Sequence, residues 1–282
     1  MPDRFDRLKT YSRFVKIEHT LFSFPMLLSG ALLARGALTW QVVLLILAAG
    51  TGARTAALGL NRILDRTIDA KNPRTANREL PSGQMKLAEG IAITGAGIVV
   101  YLVAAYLISP RCLALSPIPL AIFLLYPLMK RFTIWAHLGV GAALAMGPLG
   151  AWFAVQLDFA SYPRIVLFCC FTFLWVAGFD IIYATLDVDF DRGEGLRSLP
   201  ARFGKRRALA ISLAFHVVAF ALLCVLYLTI MTGPLAALML LAIGTLLVVE
   251  HRQASNVELA FFKVNAVLGF VVLGFVAAGV LA

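Results

Sequence analysis

NRILDRTIDAKNPRTANRELPSG, Asn61 to Gly83, follows a long apolar segment, and its reading decides how the rest of the chain is understood. Asn61, Asp65 and Asp69 stand at i, i+4 and i+8, so on a helix they lie near one face, and carboxylates four residues apart can aim at a common point. Arg62, Arg66, Lys71, Arg74 and Arg78 share the stretch. Acids paired among bases, where an apolar segment reaches a membrane surface, suit a metal-bound phosphate.

Composition sets the surroundings. The chain has 282 residues, 61% hydrophobic and 14% charged, with a mean hydropathy of +0.87. These values belong to polytopic membrane proteins. Apolar windows long enough to cross a hydrocarbon core predict nine helical spans: 20–38, 42–64, 87–108, 113–129, 135–156, 163–185, 208–231, 234–250 and 262–281. The first follows a charged segment and is succeeded by runs of similar length, so it reads as a span and not as a cleaved signal, and no targeting peptide is evident. The expected fold is an all-α bundle forming a single membrane-embedded domain over 1–282, with motif loops at about 61–86 and 180–207.

The net charge of +10 invites a nucleic-acid partner, but the basic residues sit between spans, so membrane lipid and not nucleic acid is expected. All Lys and Arg except Arg35, Arg111, Arg164 and Arg54 fall on one side of the predicted topology. The positive-inside rule makes that side cytoplasmic, with the N-terminus there and the C-terminus outside. Arg202, Lys205, Arg206 and Arg207 read as topology signals. Cys112, Cys169, Cys170 and Cys224 show no metal-ligand spacing and read as apolar filler. His19, His137, His216 and His251 form no ligand pair; His19, beside Glu18, draws the most interest.

A second polar stretch, FDIIYATLDVDFDRGEGLRSLPARFG from Phe179 to Gly204, closes the sixth predicted span as the first closes the second. Each runs from acids at a helix end through a basic, Gly-containing loop with a Leu-Pro pair, Leu80-Pro81 and Leu199-Pro200. This is the pattern of a duplication. An offset of four spans gives parallel repeats, with both acidic stretches on the cytoplasmic side. If the halves pack face to face, Asp65, Asp69, Asp187 and Asp191 meet in one cavity, where they repel unless cations occupy it. Mg²⁺ is the natural ion, since it is held by one or two carboxylates plus phosphate oxygens. Arg62, Lys71, Arg74, Lys130, Arg131 and Arg197 are candidates for the remaining phosphate charge.

Arg54 lies inside the second span, where a charge costs about 2.5 to 3.5 kcal/mol and so needs a partner. It falls on the helical face of Asn61 and Asp65, roughly 10 Å deeper than Asn61. It can hold an acidic acceptor or a phosphate, or pair with a buried acid.

These residues resemble the UbiA superfamily of intramembrane prenyltransferases over essentially the whole chain. Asn61, Asp65 and Asp69 match the family's first N-x-x-x-D-x-x-x-D signature, and Arg74 to Gly83 (RTANRELPSG) continues as in the 4-hydroxybenzoate branch. Asp180, Tyr183, Ala184, Asp187 and Asp191 match the second, D-x-x-Y-A-x-x-D-x-x-x-D. Arg197-Ser198 falls where the branch has a basic residue followed by Ser, and Tyr126 to Thr133 (YPLMKRFT) resembles the fourth-to-fifth loop. Arg62 departs from the pattern, standing where many members carry Asp. That form resembles a subgroup including prenyltransferases of the futalosine menaquinone route.

The resemblance implies helices around a cavity with a cytoplasmic mouth. It implies a polyprenyl diphosphate donor and an aromatic acceptor such as 4-hydroxybenzoate, in quinone biosynthesis. Asn61, Asp65, Asp69, Asp187 and Asp191 would hold two Mg²⁺ ions. Asp180 or Asp189 would orient the acceptor or take its proton, with Arg54 and Tyr183 on the acceptor side. Two other classes fit parts of the pattern. A secondary transporter would share parallel repeats but keep its site near the midplane. A scaffold with basic loops would attract anionic lipid and leave the DxxxD pairs without a role.

Overall fold

The computed structural model describes residues 4–16, 20–156, 162–254, 256 and 263–281. Among them there are helices and no strands. In chain order these are α1 (Arg4–Val15), α2 (Thr20–Leu33), α3 (Trp40–Leu64), α4 (Arg66–Lys71), α5 (Leu87–Ile108), α6 (Pro110–Leu115) and α7 (Pro117–Met129). They continue as α8 (Ala136–Val155), α9 (Tyr162–Ala184), α10 (Val188–Gly193), α11 (Leu199–Phe203), α12 (Lys205–Ile230), α13 (Pro234–Arg252) and α14 (Asn265–Leu281).

Seven of the described segments are long and apolar enough to cross a membrane: α3, α5, α6 with α7, α8, α9, α12 and α13. The protein is an integral membrane protein. The first and last of the nine expected spans correspond to shorter apolar helices, α2 and α14. The first stops at Leu33, well before 38, because Arg35 takes a left-handed backbone (φ 53°) that ends the helix. The beginning of the ninth span, at 262, and His19 with Glu18 lie outside the described residues. The fourth span, expected at 113–129, starts earlier and breaks at Ser116, which keeps helical dihedrals (φ −59°, ψ −26°) and donates to the Leu113 carbonyl at 3.2 Å, because Pro117 has no N–H with which to continue the helical bonds. Ser109 caps its first piece by accepting from the Cys112 amide at 3.1 Å.

The chain divides into two compact units. Residues 1–21 and 44–128 form the first, which holds α1 and α3 to α7. Glycines set the approach of its helices: a Cβ on Gly52 of α3 would lie 2.6 Å from the Tyr101 amide of α5, so only glycine permits the contact. At the other end of this unit α1 docks on polar groups. Tyr11 donates to Glu89 at 2.9 Å and Arg13 to Gln84 at 3.2 Å.

Residues 22–43 and 129–282 form the second unit. Helix α9 is its centre, packed between α8 and α12. Its apolar residues run all the way round, as a helix enclosed by others requires, and 61% of its spanning window is buried, against 39% in α8 and 28% in α12. Phe168, Phe171 and Trp175 form its spine, the last two stacked with centroids 5.6 Å apart. Helix α13 packs on α12 and carries α14.

Candidate active site

The two DxxxD pairs adopt the same local structure. In the first unit α3 ends at Leu64, Asp65 stands at a hinge (φ −93°, ψ 0°), and α4 starts at the next residue. In the second unit α9 ends at Ala184, and Asp187 (φ −108°, ψ 10°) immediately precedes α10. Each short helix opens with the same bond, the Asp69 amide donating to the Asp65 carbonyl and that of Asp191 to Asp187, both at 2.7 Å. The bond reaching back differs, Asp65 to Asn61 at 3.0 Å and Asp187 to Ala184 at 3.2 Å. The expected uninterrupted face from Asn61 to Asp69 is thus a bent one. In each unit a spanning helix reaches its polar end and passes, through Asp65 alone in the first and through Thr185, Leu186 and Asp187 in the second, into a six-residue helix whose first turn holds the other aspartate. The duplication seen in the sequence extends to backbone conformation.

The second aspartate of each pair is also engaged alike. Asp69 Oδ2 accepts from Arg78 at 2.7 Å, and Asp191 Oδ2 from the Ser198 hydroxyl at 2.8 Å. In each case the donor comes from the loop that follows the short helix. Thr75 adds a bond to the Asp69 carbonyl at 3.1 Å. The Asn61 amide lies 3.4 Å from Asp65 Oδ2. Asp65 and Asp69 are buried, at 2% and 5% exposure. Asp191 is half-buried, and burial raises its pKa above the usual carboxylate value; the neighbouring charge of Asp187 adds to this while the Ser198 bond opposes it.

Among the described residues, no three His, Cys, Asp or Glu side chains are gathered into a closed metal cluster. Each hinge, taken by itself, offers hard oxygen donors, two aspartates and an asparagine in the first unit and two aspartates in the second. Each fits Mg²⁺, which takes few carboxylates and completes its shell with water and phosphate oxygens.

The other expected residues divide. Lys71, Arg74 and Arg131 are exposed, while Lys130, Tyr183 and Arg54 are half-buried. Arg62 is buried beneath the surface, with its guanidinium donating to Glu79 and packed over the Phe14 ring, 5.5 Å from the centroid. Arg197 turns its guanidinium to the Phe132 carbonyl at 2.7 Å, while its amide donates to the Lys130 carbonyl, also at 2.7 Å. The segments 130–132 and 197–198 are thereby joined within the second unit. Asp189 is exposed, whereas Asp180 is bound to His137, Oδ2 to Nδ1 at 2.7 Å. The Leu199 amide donates to His137 Nε2 at 3.4 Å, so Nδ1 carries the proton directed at Asp180.

Sequence reasoning assigned no site role to His137, Glu79, Arg78 or Lys16. His137 lies 43 residues from Asp180 in a span otherwise apolar, and nothing local marks the pair. Lys16 ends α1 in a left-handed conformation (φ 46°). Its pKa is pushed down to about 8, first by burial and then by the charges of Arg78, Arg62, Arg54 and Arg74. From the sequence its charge reads as a topology signal only.

Comparison with known proteins accords with this geometry. The chain is 29% identical to a 4-hydroxybenzoate octaprenyltransferase of Polynucleobacter asymbioticus, covering 96% of each chain. It is 30% identical to another from Vibrio atlanticus, covering 88% of each. Among solved structures, the apo UbiA homologue of Aeropyrum pernix K1 superposes with a TM-score of 0.86 at 36% identity, over 94% of this chain and 98% of that one. A UbiA homologue of Archaeoglobus fulgidus bound to DMAPP and Mg²⁺ shares the fold, with a TM-score of 0.66 at 19% identity over 95% and 99% of the two chains. With the model of the UbiA prenyltransferase family matching residues 22–266, the chain that carries these two hinged aspartate pairs belongs to the UbiA prenyltransferase family.

Proposed function

We propose that this protein transfers a polyprenyl group from a polyprenyl diphosphate to 4-hydroxybenzoate, using Mg²⁺ held by its aspartates. The enzyme class, in place of a transporter or scaffold, follows from the family. The observation supporting the residue roles is the matched pair of hinges, each presenting two aspartates with the second fixed by a loop donor. The relatives that carry 4-hydroxybenzoate in their names support the acceptor.

In this reading Asn61, Asp65 and Asp69 hold one ion, and Asp187 and Asp191 a second. Bound Mg²⁺ offsets charge on the diphosphate and so makes it a better leaving group. Lys71, Arg74, Lys130 and Arg131 bind phosphate oxygens. The allylic carbon–oxygen bond breaks with its electron pair departing on the diphosphate. A ring carbon of the acceptor forms the new carbon–carbon bond, and the displaced ring proton passes to Asp180, which His137 holds in place. Arg54 and Tyr183 orient the acceptor, with the Arg54 guanidinium facing its carboxylate. Apolar side chains of the spans exclude water that would quench the cation. The asymmetry of Lys and Arg supports a cytoplasmic-membrane location with the N-terminus and both motifs facing the cytoplasm.

The test is prenyl transfer by purified protein in detergent, from a short prenyl diphosphate to 4-hydroxybenzoate, with and without Mg²⁺, beside Asp65→Asn and Asp187→Asn. Product that requires Mg²⁺ and disappears in both variants is expected. Diphosphate release without prenylated 4-hydroxybenzoate would overturn the acceptor, and full activity of either variant would overturn the assigned metal ligands.

A further inference from the structure

A pocket of about 400 Å³ opens on the second unit beside the segment 192–202. Arg192, Arg197 and Arg202 line it, and Ile134, Leu196 and Ala201 give it an apolar wall. All three arginines are exposed. Two of them are anchored by backbone carbonyls: Arg192 Nε donates to Ala201 at 2.8 Å, and Arg197 to Phe132 at 2.7 Å. Each guanidinium has five donors, so one anchored edge holds the plane while the others stay available to a second acceptor.

Three cations on one pocket repel one another unless an anion joins them, and the planar forks suit the oxygens of a phosphate. No carboxylate is among the lining residues, so the pocket is built for an anion and not for a metal–anion pair. The apolar wall suits an amphiphile better than a free ion. Location agrees: the spanning helix α12 begins at Lys205, three residues past Arg202, and Lys205, Arg206 and Arg207 extend the basic surface at the boundary of the membrane.

The pocket also adjoins the second aspartate motif. Ser198 is part of the lining, yet its hydroxyl donates to Asp191 Oδ2 at 2.8 Å and accepts from the Ala201 amide at 3.2 Å. One segment therefore carries the arginines on one side and the partner of Asp191 on the other.

We propose that this pocket binds the phosphodiester headgroup of an anionic membrane phospholipid, and that its occupancy steadies the segment through which Ser198 holds Asp191. The binding claim stands apart from the metal and acceptor assignments. A prenyl diphosphate is also a phosphate ester on a lipid, and the experiment separates the two sources.

The protein is placed in nanodiscs of mixed phosphatidylglycerol and phosphatidylcholine, and the lipids it retains are counted by native mass spectrometry. Wild type is expected to keep phosphatidylglycerol in about tenfold preference, and Arg192→Gln with Arg202→Gln to bring that near parity. Lys205→Gln with Arg206→Gln, outside the pocket, should keep the preference. If the double variant melts early, Arg202→Gln alone leaves the Arg192–Ala201 bond in place and should still lower the preference severalfold. Equal retention by wild type and the pocket variants would overturn the proposal. So would displacement of phosphatidylglycerol by geranyl diphosphate without Mg²⁺, which would assign the pocket to the substrate.

Discussion

Glu79 accepts a hydrogen bond from Arg62 inside the protein, where neither residue is as much as a tenth exposed. The pair ties the last turn of α3 to the loop that leads into α5, and Arg13 of α1 approaches the other Glu79 oxygen at 3.9 Å. Its buried partner explains how the Arg62 cation is accommodated at the end of the spanning helix. Removing one partner leaves a buried charge uncompensated, at a cost of about 3–5 kcal/mol. Glu79→Gln and Arg62→Gln are each expected to lower the melting temperature in detergent clearly, and the double variant by less than the sum. Strict additivity in that cycle would show that the two do not act as a pair.

Asp180 owes its orientation to His137. In the proposed role of acceptor of the ring proton, Asp180 would contribute through kcat, so Asp180→Asn should reduce kcat by about 10²–10⁴ with little change in the KM of the prenyl diphosphate. His137→Gln should give a smaller fall in kcat, because the bond to Asp180 at 2.7 Å is then altered or lost. A rise in donor KM with kcat unchanged would assign the pair to binding instead.

Lys16 gives a pH dependence with a definite sign. Its folded pKa, about 8, lies below the ordinary lysine value of 10.5. Between these values the unfolded chain binds more protons, so this group makes the ligand-free protein more stable as pH rises through that window. Lys16→Gln is therefore expected to flatten the rise in melting temperature of the ligand-free protein between about pH 8 and pH 10.5, and an unchanged slope in the variant would remove Lys16 from the account.

Close helix packing makes a further prediction. A Cβ on Gly141 of α8 would sit 2.4 Å from the Phe173 carbonyl of α9, and backbone at that position cannot yield cheaply. Gly141→Val should destabilise by about 1–3 kcal/mol or more through overpacking, read as a lowered melting temperature. Gly150, whose added Cβ would meet nothing within 4 Å, is the control and should tolerate alanine.

The sequence by itself determined the class of the protein and the places where its acidic motifs close the spans. Apolar windows located the spans because a bilayer demands long stretches of one polarity, and the boundaries of α5, 87–108, were read to the residue. The DxxxD spacing and its repeat were equally legible, since acids four apart at the end of an apolar helix are a local pattern. Tertiary structure decided what local pattern does not record. Arg62 and Glu79 are 17 residues apart, His137 and Asp180 43, and each pairing depends on how separate segments fold together. The break at Asp65, the orientation of Arg197 toward Phe132, and the convergence of three arginines on one pocket are of the same kind. A buried charge must find a partner wherever the fold supplies one, and the identity of that partner is a property of packing, not of spacing along the chain.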